Sequence, residues 1–298
     1  MPAALRATHE PMGLPGRADI VLIGLAVAGV STSAPLIAAT AAPALAIAFW
    51  RNAMAVAAVG PVALLRFRHE LLSLSRREWG VGALAGVFLA GHFATWVPSI
   101  RLTTVASATA LVCTQPLWAA LLARRLGRRI RRGAWVAIAV GVAGAALVTG
   151  ADVAVSGRAV GGDALALAGG MLAAAYVTAG GAGRRTMTTT VYTTVAYSSC
   201  ALLLLLGCLA FRQPLAGYDA TTWLRLVALT VAAQLVGHSL INRVLASTSA
   251  TVTSLALLLE VPGAALLAAV FLHQWPPLTA VPGLVLLLAG LAMVTRSS

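Results

Sequence analysis

Glu260 and Pro262 interrupt the apolar stretch ALLLEVPGAALL, inside a run of about 249–272 that is long enough to cross a bilayer. An ionised group at the bilayer centre costs about 2.5–3.5 kcal/mol on insertion scales. Glu260 is therefore expected to face the interior of a helix bundle, with a partner or water. A carboxyl that changes protonation as solvent access changes is suited to proton coupling; the plainer alternative is a carboxyl that only pins helices together. Pro262 has no backbone donor, which is expected to free the carbonyl of Leu258, four residues back, toward a cavity. Arg51 lies in another apolar run beside Asn52 and is the natural counter-charge. It is read either as a clamp for a carboxylate or as an arginine snorkelling to an interface.

Other polar residues recur at helical spacing. His92 and Trp96 are four apart, with Ser99 on the next turn. Gln234, His238 and Asn242 repeat every four residues and form one stripe. In lipid such a stripe has to line a cavity or a helix interface. Gln115 precedes Pro116, with Trp118 after it. Tyr176, Tyr192 and Tyr197 add hydroxyls or act as interface aromatics. The candidate binding or coupling set is thus Glu260, Arg51, His92, Trp96, Gln115, Gln234, His238 and Asn242, with helix breaks at Pro116 and Pro262. No acid or cysteine stands at ligand spacing from either histidine, so no metal is expected. Cys113, Cys200 and Cys208 fall inside apolar runs and predict neither a disulfide nor a zinc site. No paired acids and no Ser/His constellation are visible, so no catalytic residues and no cofactor are expected.

The elements that position these groups follow from composition. Of 298 residues, 60% are hydrophobic and only 10% charged, against roughly 25% charged in a soluble domain. With a mean hydropathy of +0.91, the fitting solvent is lipid. The net charge of +13 comes from arginine alone, with no lysine in the chain. The arginines form short clusters between apolar runs, which is how membrane loops are charged. No basic domain is left to hold a nucleic acid. Absence of lysine also removes any phosphate-loop lysine, so ATP drive is not expected. The segment DIVLIGLAVAGVSTSAPLIAA is longer than a signal-peptide core and reads as a retained first helix.

Ten helices are expected, at about 19–39, 43–65, 79–99, 103–124, 133–150, 161–180, 189–211, 222–245, 249–272 and 277–295. With the N-terminus inside, 16 arginines fall in inner loops and termini and 4 in outer loops, with Arg51 inside a span. The positive-inside rule then puts both termini in the cytoplasm. ARRLGRRIRRG is the strongest anchor. The expected setting is a bacterial cytoplasmic membrane.

Sliding the sequence on itself by 146 residues superposes Gly91 on Gly237, His92 on His238, Pro116 on Pro262 and Gly144 on Gly290. Thr114 meets Glu260. Five spans per half is an odd number, so the second half enters the membrane from the opposite side. The loop after the fourth helix carries six arginines and its partner, HQWPP, none. This is the pattern of an inverted repeat, common in secondary transporters. The organisation is read as a tail over 1–18, a first five-helix repeat over 19–150 and an inverted second over 161–295. Ridges at Gly82, Gly86, Ala90 and at Gly133, Ala137, Gly141, Ala145 are expected to let helices approach within one chain; a dimer seam is the weaker reading.

Five-plus-five spans, AFWRNAMA in the second helix, ASATALVCTQPLWAALLARRLGRRIRRG across the fourth and fifth, and SATVTSLALLLEVPGAALLAAVFLHQW in the ninth resemble the EamA-type drug/metabolite transporter superfamily. The resemblance covers about 19–296. It implies an all-α integral membrane protein that moves a small organic metabolite or drug, with efflux of amino acids or similar compounds as the family's habit. Relatives often carry a Gly-Glu pair at the ends of the fourth and ninth helices. Here Gly127-Arg128 and His273-Gln274 stand there. The expected partners are a small-molecule substrate and the bilayer, in a monomer or homodimer. An intramembrane enzyme and a non-transporting receptor or assembly factor are the competing classes.

Overall fold

Side-chain caps set the starts of several helices. Helices α1 (Arg17–Ser31) and α2 (Ser33–Ala39) are separated by Thr32 alone. Then come α3 (Ala44–Arg66), α4 (Arg68–Ser73) and α5 (Arg76–Ser99). α5 opens with a capping box: Ser75 Oγ accepts from Glu78 N at 3.2 Å, and Glu78 Oε2 accepts from Ser75 N at 2.8 Å. α6 (Val105–Val112) starts at Thr104, whose Oγ1 accepts from Ser107 N at 3.0 Å. α7 (Gln115–Arg125), α8 (Arg132–Val153), α9 (Gly157–Gly183) and α10 (Thr189–Ala210) follow. Asp219 caps α11 (Ala220–Leu229), and the hydrogen bonds from Thr222 hold its carboxyl below the ordinary aspartate pKa. A π-helical segment, Thr230–Gly237, continues α11. α12 (Glu260–Leu272) leads through a short 3₁₀ turn into α13 (Val281–Ser297).

This computed structural model describes residues 17–125, 127, 132–153, 156–184, 186–237, 240 and 258–297. Within them, eight segments are long and apolar enough to cross a membrane. The first joins α1 and α2 and the fourth joins α6 and α7, so two expected spans are broken helices. Two shorter apolar helices, Glu260–Leu272 and Leu278–Met293, follow. Parts of the expected spans 222–245 and 249–272 lie outside the described residues. Large apolar side chains face outward: Leu202, Leu206 and Leu209 on α10 are 56%, 52% and 61% exposed. A surface of this kind belongs in lipid, and the chain is an all-α integral membrane protein.

The most extensive packing joins α8 to α13, α5 to α9, α3 to α10 and α5 to α10; α1 packs on the π segment and α6 on α12. Small residues permit it. A Cβ at Gly86 would sit 2.5 Å from Ala196 O, and one at Gly170 would sit 2.8 Å from Val112 O. Gly141 and Gly290 meet backbone to backbone, so this part of the expected small-residue ridge seals a contact within the chain.

Candidate functional site

α3 carries Arg51 into the centre of the bundle, where it is 3% exposed, so it does not snorkel. Its Nε donates to Gln234 Oε1 at 2.6 Å and its Nη1 to Ser33 Oγ at 3.0 Å. Its guanidinium lies 4.7 Å from the centroid of the Phe93 ring. Four elements thus converge on one cation: α2, α3, α5 and the π segment. The π segment presents Gln234, and it approaches closely because α1 is small where they cross. A Cβ at Gly29 would lie 2.7 Å from Ala232 O. Asn52, next to Arg51, turns back into its own helix, donating to Ala48 O at 2.8 Å.

These groups face a cavity of about 480 Å³, within the usual range of roughly 300–1,000 Å³ for small-molecule sites. Arg51, His92, Trp96, Gln115, Gln234 and Glu260 all line it, as do Tyr176, Tyr192 and Tyr197. His238 and Asn242 lie outside the described residues. On α5, the His92 and Trp96 rings stack with centroids 5.6 Å and planes 17° apart. His92 Nδ1 meets Gly169 O at 3.0 Å. A carbonyl only accepts, so Nδ1 carries the proton, and Nε2 is left to accept or, in the charged ring, to donate. Ser99, one turn on, is fully buried and bonds Trp96 O at 2.6 Å, away from the cavity.

The two prolines occupy equivalent local settings. Pro116 is the second residue of α7 and Pro262 the third of α12. In a first turn the missing N–H costs little. The Leu258 carbonyl is not freed as expected, because it accepts from Val261 N at 3.3 Å. Where the repeat aligns Thr114 with Glu260, the structure turns Thr114 inward: its Oγ1 donates to Leu111 O at 2.6 Å and accepts from Trp118 Nε1 at 3.0 Å. Gln115, one residue on, lines the cavity instead.

One end of the cavity reaches the exposed residues Gly181, Arg184 and Thr189, at the connection from α9 to α10. The opposite end is shut by side chains bonded to backbone carbonyls. Arg101 Nη2 donates to Thr40 O at 2.7 Å and Ala42 O at 2.6 Å, and Arg225 Nη1 donates to Ala39 O. Both cations sit at the carboxyl end of α2, where the helix dipole favours them. Trp50 Nε1 donates to Leu215 O at 2.9 Å, and its ring meets Trp223 edge-on at 4.9 Å.

Of the two places where relatives often carry Gly-Glu, Arg128 of the first lies outside the described residues, and the residues of the second are accounted for here. His273 takes the left-handed conformation, φ 53°, that glycine adopts most easily. Gln274 Oε1 accepts from Val105 N at 3.0 Å, so a neutral amide caps the first turn of α6.

Sequence reasoning missed Ser33, Phe93, Cys113 and Arg184 as parts of this wall. It also missed Asp163, a fully buried carboxyl near the start of α9. Asp163 and Arg184 carried a usable signal, as charges in or beside an apolar run. Phe93 carried none, being one apolar residue among many.

Comparison with curated proteins gives no match. A solved crystal structure is similar over 94% of this chain and 96% of its own, with a TM-score of 0.64 and 22% sequence identity; this likeness is one of fold. The EamA-like transporter family matches twice, over residues 17–150 and 160–296. With nearly the whole length matched by these two stretches, the chain belongs to the EamA-like transporter family.

Proposed function

We propose that this protein is a secondary transporter that moves a small organic metabolite outward through the central cavity by alternating access. The observation that carries this reading is the cavity itself. It lies within the bundle, sets a few converging polar groups in a mainly apolar wall, takes walls from both halves of the chain, opens at the Arg184 end and is shut at the Trp50 end. A carrier needs a central site with access from one side at a time.

In this reading the chain crosses the membrane ten times, as two five-helix repeats of opposite orientation over 19–150 and 161–295. Two observations support it. The family matches each half separately. Helix pairings also survive exchange of the halves: the first span packs on the eighth and the third on the sixth, while the second meets the seventh, the fourth the ninth and the fifth the tenth. The Arg-rich connections share the open end, so the positive-inside rule makes that end cytoplasmic, with both termini.

Glu260 is the group proposed to couple transport to protons. It faces the cavity that Arg51 faces, and a carboxyl there gains or loses a proton according to which side admits water. Binding falls to Arg51, His92, Trp96, Gln115 and Gln234, with His238 and Asn242 extending the stripe.

The test compares small molecules released by cells expressing wild type, Glu260→Gln or an empty vector at matched protein levels, using untargeted mass spectrometry. Enrichment of one solute class by wild type alone is the expected result. Equal release by wild type and Glu260→Gln removes Glu260 from the mechanism. No enrichment over the empty vector, in release or in a matched uptake assay, counts against transport itself.

A further inference from the structure

Two side-chain donors in the cavity wall, Trp96 Nε1 and Tyr192 Oη, have no partner among the described residues, and the first is held by a stacked ring. Trp96 is 4% exposed, and its Nε1 meets no acceptor among the described residues. Buried donors in native proteins are nearly always bonded. A donor left over on a side chain that lines a cavity marks where a ligand's acceptor belongs. The ring is also held in place. His92 stacks on it, and His92 is fixed in turn by Gly169 O. Gly169 lets α9 come close: a Cβ there would stand 3.1 Å from Trp96 Cβ. The donor is therefore preorganised, which lowers the entropy cost of binding.

Charge narrows the ligand further. Arg51 is a fixed cation, anchored by Gln234, Ser33 and the Phe93 ring. Arg184 stands exposed at the mouth. Against these two guanidinium groups the described wall carries one carboxyl, Glu260. A cleft with low-dielectric walls and an excess of one sign concentrates ions of the other sign. Aromatic faces from Phe93, Trp96, Tyr176, Tyr192 and Tyr197 stand in the rest of the wall beside aliphatic and small residues.

We propose that the cavity selects small organic anions with a planar apolar body, and that Trp96 Nε1 is the specificity-determining donor to the anionic group, with Arg51 supplying the balancing charge. The proposal deepens the transport reading and rests on it, because it names the substrate class of the same site.

Cys113 gives a readout that needs no known substrate. It lines the cavity, whereas Cys200 and Cys208 are fully buried. Alkylation of Cys113 by N-ethylmaleimide is followed by intact mass in the purified full chain, with benzoate or benzylammonium added at equal concentration. Benzoate is expected to slow the reaction, and benzylammonium to leave it unchanged. Trp96→Phe keeps an aromatic ring but removes the N–H. It is expected to raise the half-protecting benzoate concentration by about tenfold, the worth of one hydrogen bond to a charged group.

Protection by benzylammonium equal to or stronger than that by benzoate overturns the charge selection, and the comparison needs no variant to fold. Unchanged benzoate protection in Trp96→Phe overturns the role of the donor. Protection by neither compound up to its solubility limit overturns both. Loss of discrimination with solute release intact refutes this proposal alone. Discrimination without solute release refutes the transport reading alone.

Discussion

Replacing Arg51 by lysine keeps the charge and breaks the fork. In wild type, Nε reaches Gln234 on the π segment at 2.6 Å while Nη1 reaches Ser33 on α2 at 3.0 Å. A single ammonium on a flexible stem cannot span both partners in that geometry. One charge-assisted bond is lost, worth about 1.5–3 kcal/mol. At about 2–4 °C per kcal/mol, the thermal midpoint in detergent is expected to fall by roughly 3–12 °C. Methionine at the same position removes the bonds but also removes the cost of burying a cation, so Arg51→Met is the weaker test of the contact. A double-mutant cycle isolates it better. Arg51→Met and Gln234→Leu are measured singly and together, so that the burial cost cancels, with unfolding free energy as the readout. Coupling of about 1.5–3 kcal/mol is expected. Coupling below the roughly 0.5 kcal/mol seen between independent sites refutes the claim that this pair holds the centre of the bundle.

Two other substitutions probe the scaffold and the closed end. Gly290→Ala would place a Cβ 2.6 Å from Gly141 Cα and 2.9 Å from Ala137 O. The seam would have to open by roughly 1 Å, an overpacking cost of about 1–3 kcal/mol. Gly207→Ala, with nothing within 4 Å, is the control expected to be neutral or slightly stabilising; equal melting of both variants would remove the seam from the argument. Trp50→Phe deletes the bond to Leu215 O and keeps the ring against Trp223. Losing about 1 kcal/mol at the closed end should raise opening there roughly fivefold. The readout is Cys113 labelling by an impermeant maleimide applied from the Trp50 side, and an unaltered rate would mean that this bond does not hold the end shut.

Legibility tracked the range of each signal. Glu260, Arg51 and the His92–Trp96 pair stood out because ionisable or polar groups are conspicuous against apolar neighbours, and all of them line the cavity. Which groups touch was not legible. Arg51 and Gln234 are 183 positions apart, and no local periodicity links them. Pro116 signalled the break between α6 and α7, because proline fits a first turn better than a helix interior. The π-helical stretch TVAAQLVG gave no such warning, since its composition suits an ordinary helix equally well. The Leu258 carbonyl was misjudged for a related reason. Counting the one bond that Pro262 cannot make ignores the tighter bond that Val261 N supplies.

The placement of glycines also restricts how the proposed cycle can run. α8 and α13 touch at Gly144, Gly283 and Gly290, where added methyl groups would collide with the backbone of the facing helix. Neither helix contributes a residue to the cavity wall. At these points backbone meets backbone, the side chains Ile138, Val148, Leu287 and Leu291 pack around the contact, and packed surfaces of that kind move as a unit rather than slide. The elements that line the cavity are built differently. α1 and α2 meet at Thr32, α6 and α7 at Cys113–Thr114, and α11 passes into a π-helical turn just before Gln234. Each interruption removes regular backbone bonds at a cavity wall, which makes bending there cheaper than within α8 or α13. Access should therefore alternate by bending at these interruptions, around Arg51 and against the α8–α13 pair as the fixed body.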